Sequence, residues 1–405
     1  MRVKVTPSHV HGQVSIPCSK SMAHRAIICA SLSKGKSVVS NISYSKDIEA
    51  TINCMESLGA KITKQEDSCI IYGTDLSIHE DLTLNCNESG STLRFFIPLA
   101  SLIDGNITFI GQGRLLSRPM EVYENIFNEQ NCTYKQADTI QIKGPLKPGH
   151  YKIRGDISSQ FISGLFFCLP LLSQDSIVEI IPKYESKSYV ELTISMLKKF
   201  NIEIIQLDEL HYKIPGNQQY KPCDIVVEGD YSQMAFFAAL DKLNGPIECL
   251  NMDETSLQGD KAIIDILKQY NGNDVVIDLS NCPDLGPILC TFASFQPVQT
   301  KIINAQRLRM KESDRIEAME QELKKWGVDM ESTYDTITIN GKPEYKKDKI
   351  VELLGHNDHR IVMALTVFGL CAKSESIIED AQAISKSYPH FFEDIQKING
   401  KCEIL

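Results

Sequence analysis

Cations and small hydroxyl residues recur in this chain at the starts of predicted helices. Ser19-Lys20-Ser21 opens one, with Arg25 a turn inside it. Gly90-Ser91 opens a second, which carries Arg94, and Ser158-Ser159-Gln160 opens a third. Arg118, Ser186 with Tyr189, Lys311 with Arg315, and Lys386 introduce a further set. A helix N-terminus presents free N–H groups and about half a positive charge, so it binds anions. Serines there can equally be plain N-caps, worth ~1 kcal/mol each. The cations are the odd element, because helix starts favour carboxylates. Arg25, Arg118, Lys311 and Arg315 therefore point together to an anionic ligand. Arg360, in His356-Asn357-Asp358-His359-Arg360, offers a planar fork that suits carboxylate or phosphate. The two histidines there lack the partner cluster that a metal site needs. Lys311-Glu312-Ser313-Asp314-Arg315 reads equally as a solvated helix start, and Asp284 equally as a cap.

Composition sets the frame for that chemistry. The chain has 405 residues, 42% hydrophobic and 23% charged, so it is globular, with room for two or three domains. A net charge of −10 disfavours nucleic acid or an anionic membrane as partner but leaves room for a small anionic substrate. No apolar run is long enough to cross a membrane, and the N-terminus has no signal-peptide core. These features predict a soluble, cytoplasmic protein. Thirteen cysteines, without any C-x-x-C pair, read as reduced structural thiols. A P-loop, a dinucleotide fingerprint, a G-x-S-x-G elbow and an H-E-x-x-H helix are all missing.

The elements that must position the charged residues repeat six times. A helical stretch ending at Gly or Asn and running into a strand recurs at Asp47–Ile62, Arg118–Tyr134, Ser188–Ile205, Asp260–Val276, Ser313–Met330 and Ser387–Ile404. Left-handed caps are expected at Gly59, Asn131, Asn201, Gly272, Gly327 and Gly400, giving gaps of 72, 70, 71, 55 and 73 residues. Ile316, Met319, Leu323 and Trp326 show the helical period of one such stretch. A second, more apolar helix accompanies each: Met22–Leu32, Thr92–Ile103, Gln160–Leu172, Gln233–Leu243, Leu285–Ala293 and His359–Ala372. Six such units are too many for one core, so two groups of three are expected. Residues 20–229 form one lobe, and residues 1–19 with 230–405 the other.

Five segments carry a family resemblance. Pro17-Cys18-Ser19-Lys20-Ser21-Met22-Ala23-His24-Arg25-Ala26 resembles the opening motif of the 5-enolpyruvylshikimate-3-phosphate synthase family. Glu88-Ser89-Gly90-Ser91-Thr92-Leu93-Arg94 and Gly155-Asp156-Ile157-Ser158-Ser159-Gln160-Phe161 are similar to its next two signatures. Arg307-Leu308-Arg309-Met310-Lys311-Glu312-Ser313-Asp314-Arg315 and Asn357-Asp358-His359-Arg360 resemble two more, all in family order.

The resemblance implies an α/β fold of two lobes. Each holds three βαβαββ repeats around a pseudo-threefold axis, an inside-out α/β barrel with its site between the lobes. It implies transfer of the enolpyruvyl group of phosphoenolpyruvate to the 5-hydroxyl of shikimate 3-phosphate, without metal or organic cofactor. By similarity, Gly90, Arg118, Arg315, Arg360 and Lys386 hold phosphoenolpyruvate. Ser21, Arg25, Ser158, Ser159, Ser186, Tyr189, Asp284 and Lys311 hold shikimate 3-phosphate, and Lys20 and Gln160 touch both. Asp284 is the implied base on the hydroxyl and Glu312 the acid on the methylene carbon, with Lys20 assisting. The protein is expected to act as a monomer on these small anionic substrates and to be a target of glyphosate. Cys18, Glu88, Ser188 and Tyr388 depart from the commoner family pattern.

Two alternatives remain at this level. A related enolpyruvyl transferase acts on a UDP-amino sugar and uses a loop cysteine as acid; Cys86 and Cys132 are the candidates here. A non-catalytic organophosphate-binding protein would use the cations alone, without Asp284 and Glu312.

Overall fold

The computed structural model describes all 405 residues. The chain divides into two compact units: residues 18–228, and residues 1–17 with 229–405.

The first unit holds three helix pairs: α1 (Lys20–Ser31) with α2 (Lys46–Ser57), α3 (Gly90–Ala100) with α4 (Glu121–Glu129), and α5 (Ser159–Cys168) with α6 (Lys187–Lys199). Each pair serves a four-stranded sheet. In the second repeat, Leu82–Asn85 runs parallel to Ile107–Ile110, which pairs antiparallel with Ile140–Lys143, and that strand with Thr133–Gln136. The other two sheets of this unit repeat the same order. α1, α3 and α5 are buried almost throughout, which fits their nearly continuous apolar character. Phe95 and Phe167 meet edge-on at 5.3 Å in their core.

The second unit holds α7 (Tyr231–Leu243) with α8 (Ile263–Lys268), α9 (Gly286–Ser294) with α10 (Arg315–Trp326), and α11 (His359–Cys371) with α12 (Phe391–Lys397). α10 shows how sequence makes these elements. Asp314 caps it by accepting from Glu317 N at 3.1 Å, and Gly327 closes it in the left-handed region at φ 83°. Ile316, Met319, Leu323 and Trp326 all lie on its buried face. Trp326 stacks at 5.2 Å on Phe368, which also meets Phe295 at 4.7 Å. Truncating Trp326 or Phe368 to alanine costs ~3–5 kcal/mol.

Two details differ from the sequence pattern. The last helix ends with Asn399, not Gly400, in the left-handed region, at φ 69°. The strand after Gly272, Val275–Asp278, pairs with Gln299–Ile303 and so opens the following repeat. The fourth repeat keeps only the two-stranded pair Gly12–Ser15 and Ile247–Leu250, without a hairpin of its own. That missing hairpin accounts for the short gap of 55 residues between Gly272 and Gly327. Val3–Thr6 lies between Ser376–Glu379 and Lys401–Ile404, completing the sixth sheet. No helix is long and apolar enough to cross a membrane.

Candidate active site

In the first unit the candidate residues gather at the starts of α1, α3, α5 and α6. Arg25 is 2% exposed, and its guanidinium donates to Thr193 Oγ1 at 2.8 Å, Ser21 O at 2.6 Å and Tyr189 O at 3.0 Å. It also stands 5.3 Å from the centre of the Phe95 ring. These partners are all neutral, and burial pushes Arg25 down to about 10. A buried cation held by dipoles alone is a receptor for an anion. Ser186, fully buried beside Tyr189, occupies the left-handed region at φ 53°, a conformation that costs of order 1 kcal/mol or more in a non-glycine residue.

A second cluster surrounds Gly90. Arg94 Nη1 donates to Gln160 Oε1 at 2.7 Å, and Gln160 Nε2 donates to Ser91 Oγ at 2.8 Å. A Cβ on Gly90 would lie 2.7 Å from Arg118 Nη1 and 3.2 Å from Arg94 Nη1, so both guanidinium groups converge on its bare backbone. Arg118 is 8% exposed, and its Nε is buried without a hydrogen-bond partner. Ser158 is an N-cap, accepting from Gln160 N at 3.3 Å, and Ser159 beside it is buried. Lys20 Nζ sits 2.8 Å from Asp47 Oδ2 on α2.

The second unit is organised differently. Arg315 is buried at the first position of α10 and is gripped by three carboxylates: Asp358 at 2.8 Å, Asp284 at 3.0 Å and Glu312 at 2.6 Å. Asp284 also meets Lys311 at 3.1 Å and Arg360 at 3.1 Å. Burial alone would raise the Asp284 carboxyl, but Arg360, Lys311 and Arg315 outweigh it and hold it well below the usual carboxylate range. Burial pushes Lys311 below its ordinary value, against the pull of Asp284. Ser232 Oγ accepts from Arg360 Nη2 at 2.9 Å and donates to Asp230 Oδ1 at 2.5 Å. Lys386 Nζ donates to Asn357 O at 2.6 Å.

Some positions differ from the helix-start reading. Arg118 follows a 3₁₀ turn, Leu115–Ser117, and stands in extended backbone before α4. Lys311 follows the turn Gln306–Met310, and Lys386 ends the turn Ala381–Lys386, with α12 starting only at Phe391. Arg315 does begin a helix, but its own carboxylate partners already offset its charge there. Nothing local in the sequence marks Asp47, Asp358 or Ser232 as site residues, although Asp358 lies within Asn357-Asp358-His359-Arg360. Their partners stand 27, 43 and 128 residues away, beyond any local pattern. Glu88 lies against Gly113, where a Cβ would come within 2.9 Å of its Oε2. Burial raises the thiols of both Cys86 and Cys132, and Cys132 Sγ donates to Pro145 O at 3.3 Å.

The fold can be matched to solved structures. An EPSP synthase from Acinetobacter baumannii gives a TM-score of 0.80 at 22% identity over 99% of both chains. The enolpyruvyl transferase NikO from Streptomyces tendae gives 0.81 at 11%, over 99% of this chain and 98% of the other. The architecture is that of the enolpyruvyl transferases. In sequence, 3-phosphoshikimate 1-carboxyvinyltransferases from Clostridium perfringens strain 13 and Clostridioides difficile strain 630 are each 44% identical, covering 98% and 99% of this chain and 98% of their own. A profile of EPSP synthase (3-phosphoshikimate 1-carboxyvinyltransferase) matches residues 5–395, and the chain belongs to that family. It is a transferase of aromatic amino-acid biosynthesis.

Proposed function

We propose that this chain joins the enolpyruvyl group of phosphoenolpyruvate to the 5-hydroxyl of shikimate 3-phosphate and releases phosphate. The observation that carries the reading is the pair of buried guanidinium groups in the first unit. Arg25 has only neutral partners, and Arg118 keeps an unpartnered Nε. Two substrates that each carry a carboxylate and a phosphate would supply the missing counter-charges.

Shikimate 3-phosphate takes Lys20, Ser21, Arg25, Ser158, Ser159, Gln160, Ser186, Tyr189, Asp284 and Lys311. Phosphoenolpyruvate takes Lys20, Gly90, Arg118, Gln160, Arg315, Arg360 and Lys386. In the addition step Asp284 accepts the proton of the 5-hydroxyl while its oxygen bonds to C2 of phosphoenolpyruvate. Glu312 delivers a proton to C3, with Lys20 assisting. In the elimination step Glu312 takes a proton back from the methyl group, the C2–O bond to phosphate breaks, and phosphate leaves with the proton that Asp284 had accepted. Asp284 is a weak base while three cations hold it. Phosphoenolpyruvate draws Arg315 and Arg360 toward its own charges, and this raises the basicity of Asp284 toward its working range.

The enzyme acts as a cytoplasmic monomer. Phosphate release from phosphoenolpyruvate, measured with shikimate 3-phosphate and separately with UDP-N-acetylglucosamine, tests the assignment. Release with the second acceptor alone overturns it.

A further inference from the structure

His24 is 1% exposed and has no part in the roles given above. Its Nδ1 lies 2.7 Å from Thr51 Oγ1, which lies 2.8 Å from Thr92 Oγ1, which lies 2.7 Å from Ser89 Oγ. Thr51, Thr92 and Ser89 are fully buried. The last link has a fixed direction, with the Thr92 hydroxyl donating to Ser89. A hydroxyl carries one proton. Thr92 therefore has none left for Thr51, so Thr51 donates to Thr92 and must accept from His24. The imidazole carries its proton on Nδ1, and Nε2 is a bare lone pair. That Nε2 is indeed buried without a hydrogen-bond partner.

The ends of this chain are informative. His24 sits on α1 one turn beyond Lys20 and directly before Arg25. Lys20 meets Asp47 and His24 meets Thr51, so two residues four apart on α1 engage two residues four apart on α2. The far end, Ser89, is the N-cap of α3 and also accepts from Thr92 N at 3.2 Å. Gly90 follows it immediately. Burial, with Lys20 and Arg25 nearby, keeps the imidazole neutral by holding it well below its ordinary value. A second proton would find no acceptor.

We infer that His24, as the Nδ1–H tautomer, is a positioning residue. It heads a one-way hydrogen-bond chain through Thr51 and Thr92 that sets the start of α3, and with it Gly90, against Lys20 and Arg25 on α1. This rests on the substrate roles proposed above for those three residues.

The test has a spectroscopic arm and a kinetic arm. Long-range proton–nitrogen correlation on histidine-labelled protein is expected to show His24 protonated at Nδ1 only; a proton on Nε2 overturns the chain. His24→Asn puts an amide N–H near the Nδ1 position and nothing at Nε2, whereas His24→Leu removes the donor. His24→Leu and Thr51→Val are each expected to raise KM for phosphoenolpyruvate about tenfold, the scale of one buried hydrogen bond. His24→Asn is expected to stay near wild type. The double variant His24→Leu with Thr51→Val is expected to be no worse than either single one. Equal impairment in His24→Asn and His24→Leu overturns the positioning role. If His24→Leu fails to fold, the near-isosteric Thr51→Val carries the kinetic arm. Wild-type protein that does not turn over shikimate 3-phosphate refutes the proposed reaction, while the tautomer still decides the chain.

Discussion

The two units solve the problem of burying cations in opposite ways. In residues 18–228, Arg25 is held by a hydroxyl and two carbonyls, and Arg118 keeps an open donor. In the other unit, Lys311, Arg315 and Arg360 face Asp284, Glu312 and Asp358, three cations against three carboxylates. The first arrangement waits for an anion from outside. The second is already neutral, and an incoming anion must compete with its carboxylates. One unit thus holds cations without carboxylate partners, and the other holds a closed charge network; the proposed function makes the first a receptor and the second a site whose proton affinity responds to what binds.

The largest expected effect breaks the network at its proposed acid and base. Asp284→Asn and Glu312→Gln should each lose ~10²–10⁴-fold in kcat, the usual scale for removing such a group. Asp284→Asn also leaves Arg315, Lys311 and Arg360 one counter-charge short, which makes this unit resemble the other. Phosphoenolpyruvate should then bind at least as tightly while turnover falls. Separate measurement of Kd and kcat checks this, and a parallel loss of both would remove the contrast between the units.

Next comes stability. Replacing Arg315 by Met abandons three carboxylates, Asp358 fully buried and Asp284 and Glu312 partly so, and should cost ~3–5 kcal/mol. Replacing Arg25 by Leu abandons none. It should leave the denaturation midpoint unchanged or raised, yet weaken shikimate 3-phosphate by roughly 10²-fold, the scale of its charge-assisted contacts. Chemical denaturation of both variants, with calorimetric binding for Arg25→Leu, decides. Comparable destabilisation in the two would show that the Arg25 charge is offset within the folded protein.

The pH dependence separates the units again, more gently. His24 has a folded pKa below its unfolded one, so below about 6.5 the unfolded chain takes up a proton that the native state refuses. Stability should fall with decreasing pH there by up to ~1.4 kcal/mol per unit. The carboxyls of Asp284 and Asp358 are also depressed on folding, burial being outweighed by their cations. Their contribution is fully present above the ordinary carboxylate value and is lost only as pH falls below about 3.9. His24→Asn should remove the earlier loss and keep the later one, as read from denaturation midpoints between pH 7 and 3.

What the sequence made legible follows the range of each interaction. Helix period, apolar faces and left-handed caps are local, and α10 can be read residue by residue from Asp314 to Gly327. The cap at Asn399 escaped because an adjacent glycine is the commoner choice and nothing in the pattern ranks the two. The fourth repeat escaped because its shortened spacing does not say which strands are missing. In the site, cations at element starts were visible as types, whereas the carboxylates that hold them were not. Asp358 is separated from Arg315 by 43 residues, and no periodicity links them. Whether a buried arginine is open or already neutralised is a property of tertiary pairing alone.

The smallest effect probes the receptor side directly. Gly90→Ala would place a methyl group 2.7 Å from Arg118 Nη1, too close to stand without movement. The clash is with the ends of two flexible arginines, and the helix-start backbone suits alanine, so the fold should be unaffected. Arg118 must shift by a few tenths of an ångström or more. On the proposed assignment phosphoenolpyruvate can follow that shift, because Arg315, Arg360 and Lys386 would share its anionic groups. Glyphosate carries a phosphonate and a carboxylate joined through an amine and is longer, so it has less freedom beside Gly90. Glyphosate should therefore compete with phosphoenolpyruvate in the unmutated enzyme, and more strongly with shikimate 3-phosphate bound. Gly90→Ala should raise its Ki by a larger factor than it raises KM for phosphoenolpyruvate. Steady-state inhibition at several phosphoenolpyruvate concentrations measures both factors in one series. Equal factors would mean that Gly90 serves the shared anion contacts only, and resistance in the unmutated enzyme would mean that Glu88 already repels the inhibitor.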